Sequence, residues 1–187
     1  PVSGDPPRHH IAVLIPAHDE EVGLPRTLRS VRSSDYPPEL LHIVVIADNC
    51  TDRTAQGAAE AGVDVLVRTD PERRGKGYAL AFGLERVRAD AVLILDADCE
   101  LMPGVLRACD RLLRDGAEAG QARVVSRNAD DGPAGFLAAV GAEVDHAVAV
   151  GRHRLTGTTS LRGTGILFRR SLLELLPWTA TGLAEDA

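Results

Sequence analysis

Ala91-Val92-Leu93-Ile94-Leu95-Asp96-Ala97-Asp98 is an apolar run that ends abruptly in two carboxylates one residue apart. A short stretch of Val, Ile and Leu without polar alternation is the pattern of a strand buried on both faces of a parallel sheet. Such sheets take their ligands beyond the carboxyl ends of their strands, and Asp96 and Asp98 fall there. Two carboxylates so close repel each other unless a cation is shared or one takes up a proton. The pair therefore reads as half of a Mg²⁺ or Mn²⁺ site that phosphate oxygens complete. An acidic turn at a strand end is the plainer alternative.

The 187 residues suffice to bury a sizeable core, and one α/β domain covering residues 1–187 is expected. A net charge of −6 argues against a nucleic-acid groove, so no nucleic-acid partner is expected. Lys76 is the one lysine; every other basic residue is arginine. Three cysteines, Cys50, Cys99 and Cys109, lack CxxC spacing, which favours a reducing cytoplasm over a disulfide or zinc framework. No uninterrupted apolar stretch approaches the ~20 residues of a membrane span. The start, Pro1-Val2-Ser3-Gly4-Asp5, has none of the regions of a signal peptide. A sequence stopping at Glu185-Asp186-Ala187 reads as truncated on its C-terminal side.

Apolar strands alternate with amphipathic segments, the order of βαβ units. Strands are expected at residues 10–15, 42–47, 64–68, 91–95 and 119–125, and helices at 21–32, 52–61, 76–88 and 103–113. Thr51 or Asp52 suits a helix cap, Pro103 suits a first turn, and Gly62 and Gly116 suit helix ends. A further helix is expected at 133–150, then a mobile polar stretch at 151–160, a last strand at 161–168 with a glycine-rich lead-in, and a short helix capped by Ser171.

Two more acidic motifs follow strands: Pro16-Ala17-His18-Asp19-Glu20-Glu21 after the first, and Asp48-Asn49-Cys50-Thr51-Asp52-Arg53-Thr54 after the second. In a parallel sheet they share a rim with Asp96 and Asp98. Asp52 fits a helix cap; Asp48, directly off its strand, fits a site. Lys76 lies between Gly75 and Gly77 at a predicted helix start, where peptide N–H groups and an ammonium favour the same anion. The P-loop and the GxGxxG fingerprint are both absent. An acidic site facing a basic loop suggests a diphosphate pocket.

These motifs, with Arg73-Arg74-Gly75-Lys76-Gly77-Tyr78-Ala79-Leu80, Gly163-Thr164-Gly165 and Glu185-Asp186, resemble in order the pattern of family 2 glycosyltransferases. The resemblance implies the GT-A (Rossmann-like) fold, an α/β/α sandwich with a mostly parallel central sheet. It implies a metal-dependent, inverting transfer of a sugar from a nucleotide-sugar donor, UDP-linked, to a carbohydrate, lipid or small-molecule acceptor. By position, Pro16, Ala17, His18 and Glu20 would line the nucleotide, with His18 where the family often stacks an aromatic ring. Asp48 would accept a hydrogen bond from the base, and Lys76 would face base or diphosphate. Asp96 would contact ribose or sugar, and Asp98 would hold Mg²⁺ or Mn²⁺. Gly163, Thr164 and Gly165 would border sugar or acceptor, Glu185 would join the binding residues, and Asp186 would be the catalytic base. The resemblance also implies a cytoplasmic setting, with membrane attachment through segments outside this sequence.

Two other readings compete. A haloacid-dehalogenase-like phosphatase also places Asp-x-Asp after a strand, but it requires a downstream lysine, and none follows Lys76. A noncatalytic nucleotide-sugar-binding domain would have no use for a base at Asp186.

Overall fold

Along β1 (Ile11–Ala17) the side chains of Ile11, Val13 and Ile15 enter one apolar layer while Ala12 and Leu14 enter another, and all five are fully buried. A strand so placed must have helices on both sides. The structure, a computed structural model, describes residues 5–126, 132–158, 161 and 163–179. After β1 come α1 (Leu24–Arg32), a 3₁₀ turn (Pro38–Leu40), β2 (Leu41–Asp48), α2 (Thr54–Glu60), β3 (Asp64–Arg68) and α3 (Lys76–Arg86). Then follow β4 (Ala91–Ile94), α4 (Val105–Arg114), β5 (Ala119–Gln121), α5 (Pro133–Thr156), β6 (Ile166–Arg169) and α6 (Arg170–Leu175).

Among the described residues six strands form one sheet in the order β3-β2-β1-β4-β6-β5. β1 pairs in parallel with β2 from Ile11↔Leu41 to Ala17↔Ala47, and with β4 from Ile11↔Ala91 to Leu14↔Ile94. β3 continues the parallel set, whereas β6 runs antiparallel to both β4 and β5. The sheet is thus α/β and mostly parallel, as expected. Leu24, Leu28 and Val31 of α1 and Leu106, Cys109 and Leu113 of α4 fill one face; Leu80 and Leu84 of α3 fill the other with Val44 and Ile46. Helix α3 comes close because of Gly83: a Cβ there would stand 2.4 Å from Ile46 Cδ1.

Several boundaries differ from those expected. The fifth strand ends at Gln121 instead of residue 125, the last ladder bond running from Ala122 N–H to the Gly165 carbonyl. β6 begins at Ile166, because Gly163 and Gly165 have φ values of 57° and 71° that no strand continues through. Ser171 does not cap α6; it is that helix's second residue and donates to Glu118 Oε2. Pro103 precedes α4, which starts after a left-handed Gly104. Asp52 serves α2 from just outside it, accepting the Thr54 N–H at 2.9 Å. Gly62 and Gly116 do follow helix ends with positive φ.

Helix α5 runs 24 residues to Thr156, so the stretch expected to be mobile from residue 151 is helical up to a left-handed Gly157; residues 159 and 160 lie outside the described set. One 18-residue window of this helix has a mean hydropathy of 1.3, long and apolar enough to cross a membrane by length and composition alone. The uninterrupted apolar runs within it are short, as expected, and Leu, Val and Ala carry the window's average past Glu143 and Asp145. Leu137, Val140, Val144, Val148 and Leu155 form an exposed stripe, while the small Ala142 and Ala149 border a groove with Gln121 and Val124.

Asp110 of α4 is 1% exposed and ties the chain ahead of β1 to the helix. Its Oδ1 accepts the N–H groups of Arg8 and His9 and pairs with His9 Nδ1 at 2.8 Å, and Arg114 Nε lies 3.0 Å from Oδ2. Burial pushes this carboxyl up, but the Arg8 and His9 donors and Arg114 outweigh it and hold it below the ordinary value. A depressed carboxylate stabilises the fold above its ordinary pKa and loses that contribution as pH falls through the lowered one. Asp110→Asn should therefore cost about 1–3 kcal/mol in urea unfolding at neutral pH, with the gap to wild type closing in acid. A gap independent of pH contradicts this assignment.

Candidate functional site

Pro16 and Ala17 close β1, Asp48 closes β2, and Asp96 and Asp98 follow β4, so the register above brings these residues to one rim. Together with His18, Glu20, Asn49, Arg74, Gly75, Lys76 and Ala79 they line a cleft of about 450 Å³. The two turns at this rim are held in left-handed backbone, φ 53° at Asp19 and 52° at Asn49, a region Asp and Asn tolerate better than other side chains. Asp19 Oδ1 accepts the N–H groups of Thr51 and Asp52, and Oδ2 accepts the Thr51 hydroxyl, locking the ends of β1 and β2 together. The Thr51 N–H above all holds the Asp19 carboxyl below its ordinary range. Asp19 and Asp52 are thus engaged in turn and helix-start hydrogen bonds.

Asp48 is 5% exposed and would be a costly charge without a partner. Arg68, the last residue of β3 and its register neighbour, supplies one: Nη1 donates to Asp48 Oδ1 at 2.6 Å and Nη2 donates to Asp70 Oδ2 at 3.1 Å. The guanidinium also lies 5.7 Å from the Tyr78 ring centroid. Asn49 braces the pair, donating from Nδ2 to Asp48 Oδ1 and accepting the Asp70 N–H at its own Oδ1. Both bonds to Asp48 fall on Oδ1, which leaves Oδ2 as the acceptor the cleft can use.

Gly75, with φ 114°, precedes the first residue of α3, so Lys76 stands at a helix N-terminus as expected. Its Nζ is 2.6 Å from Asp96 Oδ1 and donates to the Gly163 carbonyl at 2.8 Å. Thr164 Oγ1 accepts the Asp96 N–H at 2.9 Å, and Gly165 N–H donates to the Ile94 carbonyl. The glycine-rich segment thereby becomes a wall of the Asp96 site. At Gly165 a Cβ would meet Ala122 Cβ at 3.0 Å on a left-handed backbone, so only glycine fits. His18 Nδ1 lies 2.8 Å from the Asp48 carbonyl, which can only accept; Nδ1 therefore carries the proton and the ring is held at the cleft mouth.

A divalent cation fits the donor set at the β4 end. Asp96, Asp98 and Cys99 each offer an atom within 4.8 Å of the others. Burial, first, pushes the Cys99 thiol up to about 11, so at neutral pH the anionic donors are the two carboxylates. These are hard oxygen ligands of the type Mg²⁺ and Mn²⁺ accept. Asp96 already holds a cationic group in contact, the Lys76 ammonium. Burial, then the charges of Asp98 and Asp52, push the Glu20 carboxyl up, a mark of surplus negative charge on this side of the cleft.

Of the residues expected from sequence, Pro16, Ala17, His18, Glu20, Asp48, Lys76, Asp96 and Asp98 share the cleft. Gly163 and Thr164 join it through Lys76 and Asp96. Glu185 and Asp186 lie outside the described residues. Arg68 was missed; its signal was a lone cation at the end of an apolar strand, readable only with the β2–β3 register. Arg68→Met should destabilise the fold by about 3 kcal/mol by leaving a buried carboxylate unpaired, and adding Asp48→Asn should restore most of the loss. Strictly additive losses in urea unfolding would refute the coupling.

Residues 12–176 match the model of the family described as Glycosyl transferase family 2. The probable glycosyltransferase YdaM of Bacillus subtilis is 32% identical over 94% of this chain, which covers 44% of that protein. The low-salt glycan biosynthesis hexosyltransferase Agl6 of Haloferax volcanii is 37% identical over 48% of the chain and 21% of its own length. Among solved structures, the mannosyltransferase PcManGT from Pyrobaculum calidifontis, in complex with GDP-Man and Mn²⁺, shares the fold with a TM-score of 0.74 at 23% identity, over 100% of this chain and 52% of its own. The chain spans less than half the length of either curated relative and about half of the solved mannosyltransferase.

Proposed function

The chain belongs to glycosyl transferase family 2, and from that premise we propose that its cleft binds a nucleotide-sugar with a divalent cation and passes the sugar to an acceptor hydroxyl with inversion. The observation that carries this reading is the convergence of Asp48, Asp96, Asp98 and Lys76 on one cleft at the carboxyl ends of the parallel strands. Oδ2 of Asp48 accepts a ring N–H from the base, such as uracil N3–H or guanine N1–H. Cytosine and adenine present a bare ring nitrogen at the matching edge, and a carboxylate repels it. UDP is the expected carrier; a solved neighbour holding GDP-Man keeps guanine in the test. His18, its ring fixed through Nδ1, borders the base.

Asp98 and its neighbour Asp96 face the diphosphate side, and Lys76 with the start of α3 supplies positive potential there. Mg²⁺ or Mn²⁺ held by Asp98 supplies Lewis acidity to the diphosphate leaving group. Thr164 fixes the Asp96 backbone, and Gly163, Thr164 and Gly165 border the sugar or acceptor. Asp186 takes the proton of the attacking hydroxyl. A single displacement with inversion needs one base for that proton and no covalent intermediate.

Thermal unfolding with UDP, GDP, CDP and ADP, with and without Mn²⁺, tests the reading through binding alone. UDP or GDP with Mn²⁺ should stabilise, by about 2.7 kcal/mol at a hundredfold excess over Kd, and CDP and ADP should not. Asp98→Asn should abolish the Mn²⁺-dependent part. Asp186→Asn should keep it while lowering transfer by about 10² to 10⁴, the usual weight of a general base. Equal stabilisation by all four nucleotides, or by none, overturns the assignment.

A further inference from the structure

The Asp96 carboxylate has a cationic partner within the protein itself. Lys76 Nζ stands 2.6 Å from Oδ1, and its second hydrogen bond, to the Gly163 carbonyl, seats the ammonium between β4 and the glycine-rich wall. The Asp96 N–H is held by Thr164 Oγ1, which fixes the backbone at Asp96, while the lysine side chain, four methylenes long, can swing about a fixed Cα at the start of α3. We propose that Lys76 fills the cation position at Asp96 when the cleft is empty and gives it up to the divalent ion only as a diphosphate arrives. Lys76 is then a positioning residue that makes metal and nucleoside diphosphate bind as a pair.

This inference rests on the nucleotide-sugar reading of the cleft and extends it to the order of binding. An ammonium on Asp96 Oδ1 and a dication on the same carboxylate repel each other strongly, so metal alone binds against the Lys76 charge or at the cost of its ion pair. The diphosphate supplies a receiver for that charge. Its oxygens, placed before the N-terminus of α3, attract the same ammonium, and once Lys76 has turned to them Asp96 and Asp98 are open to the ion. Arg74 provides a comparison built into the site. It lines the same cleft, but its hydrogen bond goes to the Pro71 carbonyl and it makes no ion pair among the described residues. A general change of charge in the cleft therefore acts through Arg74 as well, whereas exchange at Asp96 acts through Lys76 alone.

The test measures two affinities on the full 187-residue chain: Mn²⁺ without nucleotide, by titration calorimetry or by the fall of the free Mn²⁺ electron paramagnetic signal, and UDP at saturating Mn²⁺. In Lys76→Met the affinity for Mn²⁺ alone should rise about tenfold, while the affinity for UDP with Mn²⁺ falls by at least as much. In Arg74→Gln the affinity for Mn²⁺ alone should change less than about threefold, as for a screened cation nearby. Circular dichroism and urea unfolding confirm that both variants fold. Unchanged or weaker Mn²⁺ binding in Lys76→Met, in a chain whose wild type binds UDP with Mn²⁺, overturns the exchange while leaving the cleft reading intact. An equal gain in Arg74→Gln also overturns it. No binding of UDP or of GDP by the wild type under any metal condition overturns both.

Discussion

With β2 on one edge and β4 on the other, β1 has no freedom to slide. A shift of one residue would carry Ile11, Val13 and Ile15 into the layer that Ala12 and Leu14 occupy, exposing one set and overfilling the other. That restraint is a matter of apolar burial, yet its consequence is electrostatic. Because the strands are locked in parallel, their carboxyl ends finish together, and so do the acidic residues that follow each one. The cleft is the place where the sheet's hydrogen-bonding ladder stops and its charges begin.

A rim that collects Glu20, Asp48, Asp96 and Asp98 would be self-repelling if nothing balanced it. The protein balances it piecemeal, with one cation on each side. Arg68 is spent on Asp48 deep in the sheet, where a planar guanidinium can hold two carboxylates and lie near Tyr78 at once. Lys76 serves Asp96 nearer the solvent, where a flexible ammonium can be withdrawn. The arginine pairing is architecture and the lysine pairing is poise. The chemistry of the two cations suits those separate duties, since a fork in a fixed plane resists rearrangement and a point charge on a mobile stem does not.

Much of this was legible before any coordinates. Strand ends could be read from the change of apolar run to acid, so Asp48, Asp96 and Asp98 could be placed on one rim as soon as the sheet was taken as parallel. What could not be read was partnership. Arg68 meets Asp48 only through the β2–β3 register, which is a property of two strands together. Lys76 meets Asp96 only once α3 has packed against the sheet, and that closeness depends on Gly83 having no side chain to keep Ile46 away. Helix α5 outruns its expected end for a local reason: Gly151 opens a polar, Gly- and Thr-rich stretch that reads as a break, whereas the backbone turns left-handed only at Gly157. Glu185 and Asp186 could be named from the motif order and stand outside the described residues.

Helix α5 stands apart from this economy of burial. Its Leu and Val stripe faces outward and no residue of the helix is buried, so little of its order is underwritten by tertiary packing. Helices of that kind open without waiting for the rest of the molecule, and their amide protons exchange through local fraying. β1, β2 and β4 surrender theirs only when the whole sheet parts. The molecule therefore has two tiers of persistence: a slow tier that keeps the cleft's carboxylates in register, and a faster one whose amides exchange by local opening.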